Sequence, residues 1–289
     1  MSALDRRGIR RARPAHVRVH VPIAGACTRR LLIAVVVLYV GGLILAPIGA
    51  LVAGVFASGL SAVLSVFGDP DVQAAFALTL QISLITVVIH GVCGTAAAWI
   101  LARQRFRGRR ILDALVNLPF ALSPVVVGYV ILLLFGREGL FGPLLDDLGV
   151  QVAFAVPGMV IATLLVTLPF MIRELVPIIE GLDREHERAA ATLGADRLLT
   201  FWRITLPALR WGLIYGLILT FARALGEFGA VLVAGGDIQG MTETAPLYIF
   251  RALDERNTVG AYTVALTLGL VSLALVLGVE RLRRRARAT

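Results

Sequence analysis

The stretch "ERAAATLGADRLLTFWRITLP", Glu187–Pro207, is polar and helix-forming, yet it lies between two long apolar runs. Ala189, Ala190 and Ala191 are strong helix formers, and Gly194 is placed to end a first short helix. A second segment carries Leu198, Leu199, Phe201, Trp202 and Ile204. It is expected to stop near Pro207, because proline lacks the N–H that a helix interior needs. From Asp183 onward the chain therefore reads as two short helices, a small-residue surface followed by an aromatic one. Such a pair suits docking into a partner's groove, or lying as a hairpin on a bilayer.

The surroundings decide what kind of chain carries this stretch. Of 289 residues, 58% are hydrophobic and only 16% are charged, with a mean hydropathy of +0.84. Soluble domains carry about 25% charged residues, so the composition points to a membrane protein. A spanning helix needs roughly 20 mostly apolar residues. Six runs qualify: Leu31–Phe56, and about Phe76–Leu101, Ile111–Phe135, Phe154–Ile179, Leu209–Ala234 and Thr258–Val279. They are apolar throughout rather than alternating, which argues against a β-barrel. The first has the length of an uncleaved anchor, since a signal-peptide core runs to about 15 residues. The tail after Val279 is too short to fold alone.

All 28 basic residues are arginine. Twenty-four of them lie in the tail up to Arg30, the 103–110 loop, the stretch 173–210 and the tail after Val279. By the positive-inside rule these segments are cytoplasmic, and with them both termini. The basic tails read as topology signals and anionic-lipid contacts rather than as nucleic-acid-binding arms. The absence of lysine excludes a GxxxxGK[ST] phosphate loop, so this chain does not hydrolyse ATP by that route. Cys27 and Cys93 form no CxxC pair, and His90 stands alone in the second run, where it reads as a packing residue. Nothing gathers at metal-ligand spacing, and no nucleophile–base pair is readable.

The spacing around Gly194 resembles the signature of the integral membrane subunits of binding-protein-dependent ABC importers. That signature is Glu-Ala-Ala, three residues, Gly, nine residues, Ile, one residue, Leu-Pro. Ala189-Ala190, Gly194, Ile204 and Leu206-Pro207 keep the register, while Arg188 occupies the glutamate slot. Glu187 lies one residue earlier, about 100° around a helix, and so is expected to point elsewhere. The resemblance implies an all-α integral membrane protein of six transmembrane helices in the MetI-like permease fold. It divides the chain into a cytoplasmic tail 1–30, a first helix 31–57, a transporter core 76–280 and a tail 281–289. Within the core, loop 183–207 would be the cytoplasmic coupling helix, with Glu187, Arg188, Ala189, Ala190, Gly194, Ala195, Phe201, Ile204, Leu206 and Pro207 seated against a separate ATPase. ATP and Mg would then be bound by that partner, with no cofactor and no covalent catalysis on this chain.

Four stretches, 118–136, 154–179, 201–216 and 222–236, resemble the sulfate/thiosulfate and molybdate permeases. "RELVP" at 173–177 and "FWRITLP" at 201–207 look most like the W-type (CysW-type) sulfate permeases. That resemblance implies a bacterial inner-membrane location. It also implies a related T-type permease, two ATPase subunits and a periplasmic or extracellular sulfate-binding protein as partners, and no nucleic acid. Molybdate import stays open, as does an ion-coupled secondary transporter using Arg223 and Glu227 as a relay.

Four residues are candidates for the path or gate. Arg223 and Glu227 are four apart near the middle of the fifth run, where they would share a helix face. They are either a mutually neutralising pair, or a means of presenting Arg223 to a passing anion. Nearby Gly212, Gly216, Gly226 and Gly229 are expected to allow close helix packing. Ser123-Pro124 interrupts the third run, either as a packing kink or as a broken helix lining the path with the Ser123 hydroxyl. Residues 235–250, "GGDIQGMTETAPLYIF", read as an outer, turn-rich loop from which Ala245–Phe250 could re-enter as a short helix. The resemblance puts that loop at the gate, facing the binding protein.

Overall fold

The computed structural model describes residues 26–183 and 185–288, with side chains from 28 to 183 and 185 to 281. The expected N-terminal tail, up to residue 25, therefore lies outside the described residues. So do Arg184, the Cys27 side chain and the side chains of the C-terminal tail beyond Arg281. The chain divides into two compact units, one ending at Ala50 and one beginning at Leu51. The described part of the first is a single helix, α1 (Ala26–Ala57), whose last turns belong to the second unit. Its Leu, Val and Ile side chains from Leu31 to Ile48 are exposed on every side. An all-apolar helix with its backbone bonds satisfied internally is what a lipid environment requires.

The second unit is helical throughout, with no strand among the described residues. It continues with α2 (Leu60–Phe67), α3 (Pro70–Ile89), a π-turn (His90–Gly94) and α4 (Thr95–Arg103). Next come α5 (Arg109–Ala121), α6 (Pro124–Phe135), α7 (Gly142–Asp147) and α8 (Val156–Glu180). The interrupted hairpin follows as α9 (Glu185–Thr192), α10 (Arg197–Thr200), a second π-turn (Phe201–Thr205) and α11 (Leu206–Leu225). The chain closes with α12 (Gly229–Gly235), α13 (Ala245–Asp254) and α14 (Thr258–Ala288).

Five helical stretches are long and apolar enough to cross a membrane: Thr28–Ala57, Pro70–Arg103, Val156–Glu180, Arg197–Leu225 and Thr258–Arg281. The pair α5–α6 makes a sixth if taken as one span. At the heart of the unit is α8, whose Met159, Met171, Leu175 and Ile179 are fully buried. Around it pack α4, α5 and α11 on one cluster and α6 and α12 on another. Small residues set the approach. A Cβ on Gly212 would collide with Ile178, and one on Gly216 would lie 2.9 Å from Met171 Sδ. Inside the α3–α4 span, Thr95 N reaches back five residues to His90 O, forming the π-turn. His90 Nε2 lies 3.0 Å from Thr167 Oγ1. The Thr167 proton is already given to Thr163 O at 2.7 Å, so His90 is the donor. That histidine is a satisfied packing residue.

The interruption expected at Ser123-Pro124 is a sharp one: α5 and α6 meet at 114° across Leu122–Ser123. Ser123 is held extended (ψ 140°), as a residue before proline prefers. The fifth run starts earlier and ends sooner than expected. It is helical from Arg197, ends at Leu225 and is broken through Gly226–Phe228, so Arg223 is in the last turn and Glu227 is beyond it. Finally, Pro207 does not stop the second hairpin segment. Leu206 N bonds back five residues to Phe201 O, and Pro207 enters the first turn of α11, where its missing donor is tolerated. Of the four glycines named for packing, Gly226 serves otherwise. No neighbour lies near its Cβ position, and it marks the helix end.

Candidate functional site

The hairpin 183–207 is built by local bonds. Asp183 Oδ1 accepts from Glu185 N at 2.9 Å and so begins α9. At its other end Gly194 takes φ +84°, Ala195 N donates to Ala190 O at 3.0 Å, and Gly194 N donates to Ala191 O at 3.1 Å. This is a Schellman ending, which needs the left-handed residue that glycine supplies most easily. Asp196 then caps α10 by accepting from Leu199 N at 2.6 Å. Leu193, Leu198 and Trp202 are exposed around this corner. Apolar side chains clustered on an otherwise polar loop mark an interaction surface.

Glu187 ties the hairpin to the helices behind it. Its Oε1 accepts from Thr205 Oγ1 at 3.0 Å and faces Arg103 Nη2 at 3.5 Å. Arg103 lies over the Trp99 ring, 5.4 Å from its centroid, and Trp99 meets Phe201 edge-on at 6.0 Å. Arg188, Ala189, Gly194 and Pro207 are exposed; Ala190, Ala195, Phe201, Ile204 and Leu206 are half-buried. The hairpin thus has an anchored side centred on Glu187 and an open side carrying Arg188, Ala189 and Gly194. Between the two π-turns, a groove of about 830 Å³ is lined by Val92, Trp99, Ala191, Phe201 and Trp202.

The two interrupted spans meet. A Cβ on Gly229 would lie 3.2 Å from Pro124 Cβ, which puts the start of α12 directly against the Ser123-Pro124 break. Glu227 divides its carboxylate between two tasks. Its Oε1 accepts from Ala230 N at 3.1 Å, and its Oε2 lies 2.8 Å from Arg223 Nη2. The Glu227 side chain is 2% exposed and that of Arg223 31%, so the cation is the partner with access to a ligand. Ser123 is exposed and its hydroxyl makes no cap bond to α6.

A second polar centre joins α3, the loop 236–244 and α13. Arg251 grips the buried Glu243 through Nε at 2.6 Å and Nη2 at 3.1 Å, and reaches Glu255 through Nη1 at 3.1 Å. Asp71 lies 3.8 Å from the same guanidinium and accepts from Gln239 Nε2 at 2.5 Å. The bonds to Glu243 push the Arg251 guanidinium further above its ordinary range, against the opposing effect of burial. Burial, then the Glu243 carboxylate, push the Asp237 carboxyl up, with Arg251 opposing. Thr242 Oγ1 donates to Gly235 O at 2.7 Å, and Ala245 N donates to Thr79 Oγ1 at 2.8 Å, so the loop is pinned at both ends. The helix at Ala245 does form, and it runs on to Asp254. Removing one partner of a buried ion pair costs about 3–5 kcal/mol, whereas replacing both by apolar groups is close to neutral. Arg251→Met is therefore expected to lower the apparent Tm of the purified protein strongly, and Arg251→Met/Glu243→Leu to recover most of the loss.

Among the described residues no group of His, Cys, Asp and Glu could hold a metal ion. Residues 92–288 match the family described as "Binding-protein-dependent transport system inner membrane component", which is most of the chain. The chain belongs to this family. As a multi-pass permease of that kind it is similar to the "Sulfate transport system permease protein CysW" of Synechococcus elongatus, 45% identical over 84% of this chain and 85% of that protein. It is also similar to the CysT permease protein of Salmonella typhimurium, 38% identical over 86% of this chain and 90% of that one. Its fold matches a solved chain from a bacterial alginate ABC transporter bound to its periplasmic protein. The TM-score is 0.72, with 19% identity over 90% of this chain and 96% of that chain. The likeness to that structure shows the importer permease fold.

Two clusters in the permease escaped the sequence reading. The partners Asp71 and Arg251 are too far apart in the chain for any local pattern to join them. The arginine distribution groups Arg173 with the cytoplasmic stretch 173–210, whereas the residue stands inside α8, bonded to Asn117 and facing Asp113 on α5. Its position within an apolar run was the signal available.

Proposed function

We propose that the chain is a transmembrane permease subunit of an ATP-driven, binding-protein-dependent importer of sulfate, with thiosulfate as a related substrate. The observation that carries this reading is the 45% identity to a CysW sulfate permease over most of both chains. A T-type permease is the proposed companion in the membrane, since this chain is also similar to a CysT protein over nearly its whole length. Two ATPase chains and an extracytoplasmic sulfate-binding protein complete the assembly. The arginine distribution supports an orientation with both termini and the 183–207 hairpin in the cytoplasm.

In this reading the binding protein delivers the anion to a cavity between two permeases, and the ATPases drive alternation between outward- and inward-open states. The open side of the hairpin, Arg188 to Ala195, docks in an ATPase cleft. Phe201, Ile204, Leu206 and Pro207 continue that surface into α11, so displacement of the hairpin is transmitted along one helix to Arg223. The Glu187 contacts make the hairpin move with α4 rather than alone. Glu187→Ala is expected to lower uptake about tenfold, by loss of charge-assisted bonds worth about 1.5 kcal/mol. Glu187→Gln, which still accepts from Thr205, should stay within about threefold in the same uptake assay.

Deleting the gene and measuring radiolabelled sulfate uptake, with unlabelled molybdate and thiosulfate as competitors, tests the assignment. Selective loss of sulfate uptake, restored by the wild-type chain, is the expected result. Normal sulfate uptake with lost molybdate uptake would move the substrate to molybdate, and loss of neither would overturn the oxyanion reading.

A further inference from the structure

Arg173 lies in α8 about 10 Å short of the helix end at Glu180. With 25 residues, α8 is about 37 Å long, against roughly 30 Å of hydrocarbon, so Arg173 falls within the membrane's inner half. Its side chain is nevertheless 48% exposed, and that of Asp113 beside it is 52% exposed. Charges at this depth face a wet cavity or protein, not lipid. The guanidinium lies across α5, with Nε donating to Asn117 Oδ1 at 2.7 Å and Nη2 3.4 Å from Asp113 Oδ1. Nη1 has no acceptor among the described residues.

These groups form a strip. Arg109, Asp113 and Asn117 recur every four residues and so share one face of α5. At the foot of that face Arg109 Nη2 donates to Glu180 Oε1 at 3.2 Å, with both side chains nearly half exposed. At its head α5 gives way to Ser123-Pro124, against which α12 begins just after the Arg223–Glu227 pair. The polar residues of α5 therefore run from the end of α8 to Asn117, and the same face leads on through Ala121 to the place where the broken spans meet.

Resting on the importer reading above, we propose that Arg173 is an anion-binding station on the inner half of the translocation path. The oxyanion is received by the free edge of the guanidinium, whose planar fork suits paired oxygen acceptors. Asn117 is the positioning residue that holds the fork across the path. Asp113 competes for the same guanidinium, which keeps the anion's stay short; a transport site must bind weakly enough to release.

The test uses the whole assembly, permease pair, ATPases and binding protein, in proteoliposomes, reading labelled sulfate uptake and ATP hydrolysis together. Arg173→Gln is expected to lower uptake about tenfold, the loss of one charged hydrogen bond, while ATP hydrolysis continues. Arg173→Lys, which keeps the charge but loses the fork, should fall between wild type and Arg173→Gln, and Asp113→Asn should lower the half-saturating sulfate concentration together with the maximal rate, with thermal stability unchanged in both. A mere clamp between α5 and α8 behaves differently: Arg173→Gln and Asp113→Asn would then lower uptake and thermal stability together. That result, or wild-type uptake by Arg173→Gln, overturns the proposal. A wild-type assembly importing molybdate and not sulfate would remove the sulfate assignment alone, the Arg173 series then being scored on molybdate. One importing neither anion would remove both.

Discussion

Gly194→Asp is expected to abolish uptake and release the ATPase while leaving the permease folded. The backbone at this position takes φ +84°, and a Cβ there would meet no neighbouring atom within 4 Å in the chain. The intramolecular cost is therefore one of conformation, about 1–2 kcal/mol for an ordinary residue in the left-handed region and less for Asp or Asn, which visit it readily. Everything else the substitution does, it does to a partner. A side chain projecting from the open side of the hairpin, with a negative charge, would occupy space that a docked ATPase needs. Co-purification with the ATPase should fall at least about tenfold, while the apparent Tm of the isolated permease changes little. Gly194→Asn separates charge from bulk, and Gly194→Val adds the full backbone strain of a β-branched residue. If Gly194→Asp retains ATPase association and uptake, the hairpin is not the coupling surface.

How much of this was legible beforehand depends on the range of the interaction. The hairpin was readable because its devices are local: three alanines, a glycine five positions past the first of them, and Asp196 three residues before the amide it caps. Hydropathy likewise located five of the spans, since each of those is long enough to cross a bilayer by itself. The breaks were harder. Pro119 and Pro124 mark an interruption, but a bend of 114° arises because α6 leaves α5 to pack on α12, with Gly128 fitted against Ala230 O. The break at Gly226–Phe228 was marked only by Gly226 and the Arg223–Glu227 spacing, which suit a continuous helix equally well. Pro207 misled for the opposite reason, since the π-turn before it shifted the hydrogen-bond register and let the helix pass. Arg251 with Asp71, and Arg173 with Asn117, join distant positions and needed the fold.

The same distinction, between what a pair stabilises and what it presents, governs Arg223 and Glu227. Glu227 is the buried member and has a second anchor in Ala230 N; Arg223 is partly exposed and has none beyond Glu227. Removing the cation leaves a buried carboxylate with one backbone donor, and removing the carboxylate leaves an intramembrane guanidinium with no partner. Either single change, Arg223→Met or Glu227→Ala, should cost about 3 kcal/mol, the low end for a broken buried pair because Arg223 has some solvent. Glu227→Gln should be milder than Glu227→Ala, since its one amide oxygen can still accept from either Ala230 N or the guanidinium, though not from both. The double variant Arg223→Met/Glu227→Leu then separates the two roles. A pair that only neutralises itself predicts recovery of both apparent Tm and uptake. An Arg223 that presents positive potential to the anion predicts recovered Tm with uptake still about tenfold down, because the charge that met the anion is gone. The 31% exposure of Arg223, beside the junction of two broken spans, favours the second outcome. Full recovery of uptake in the double variant would return the pair to a purely structural role.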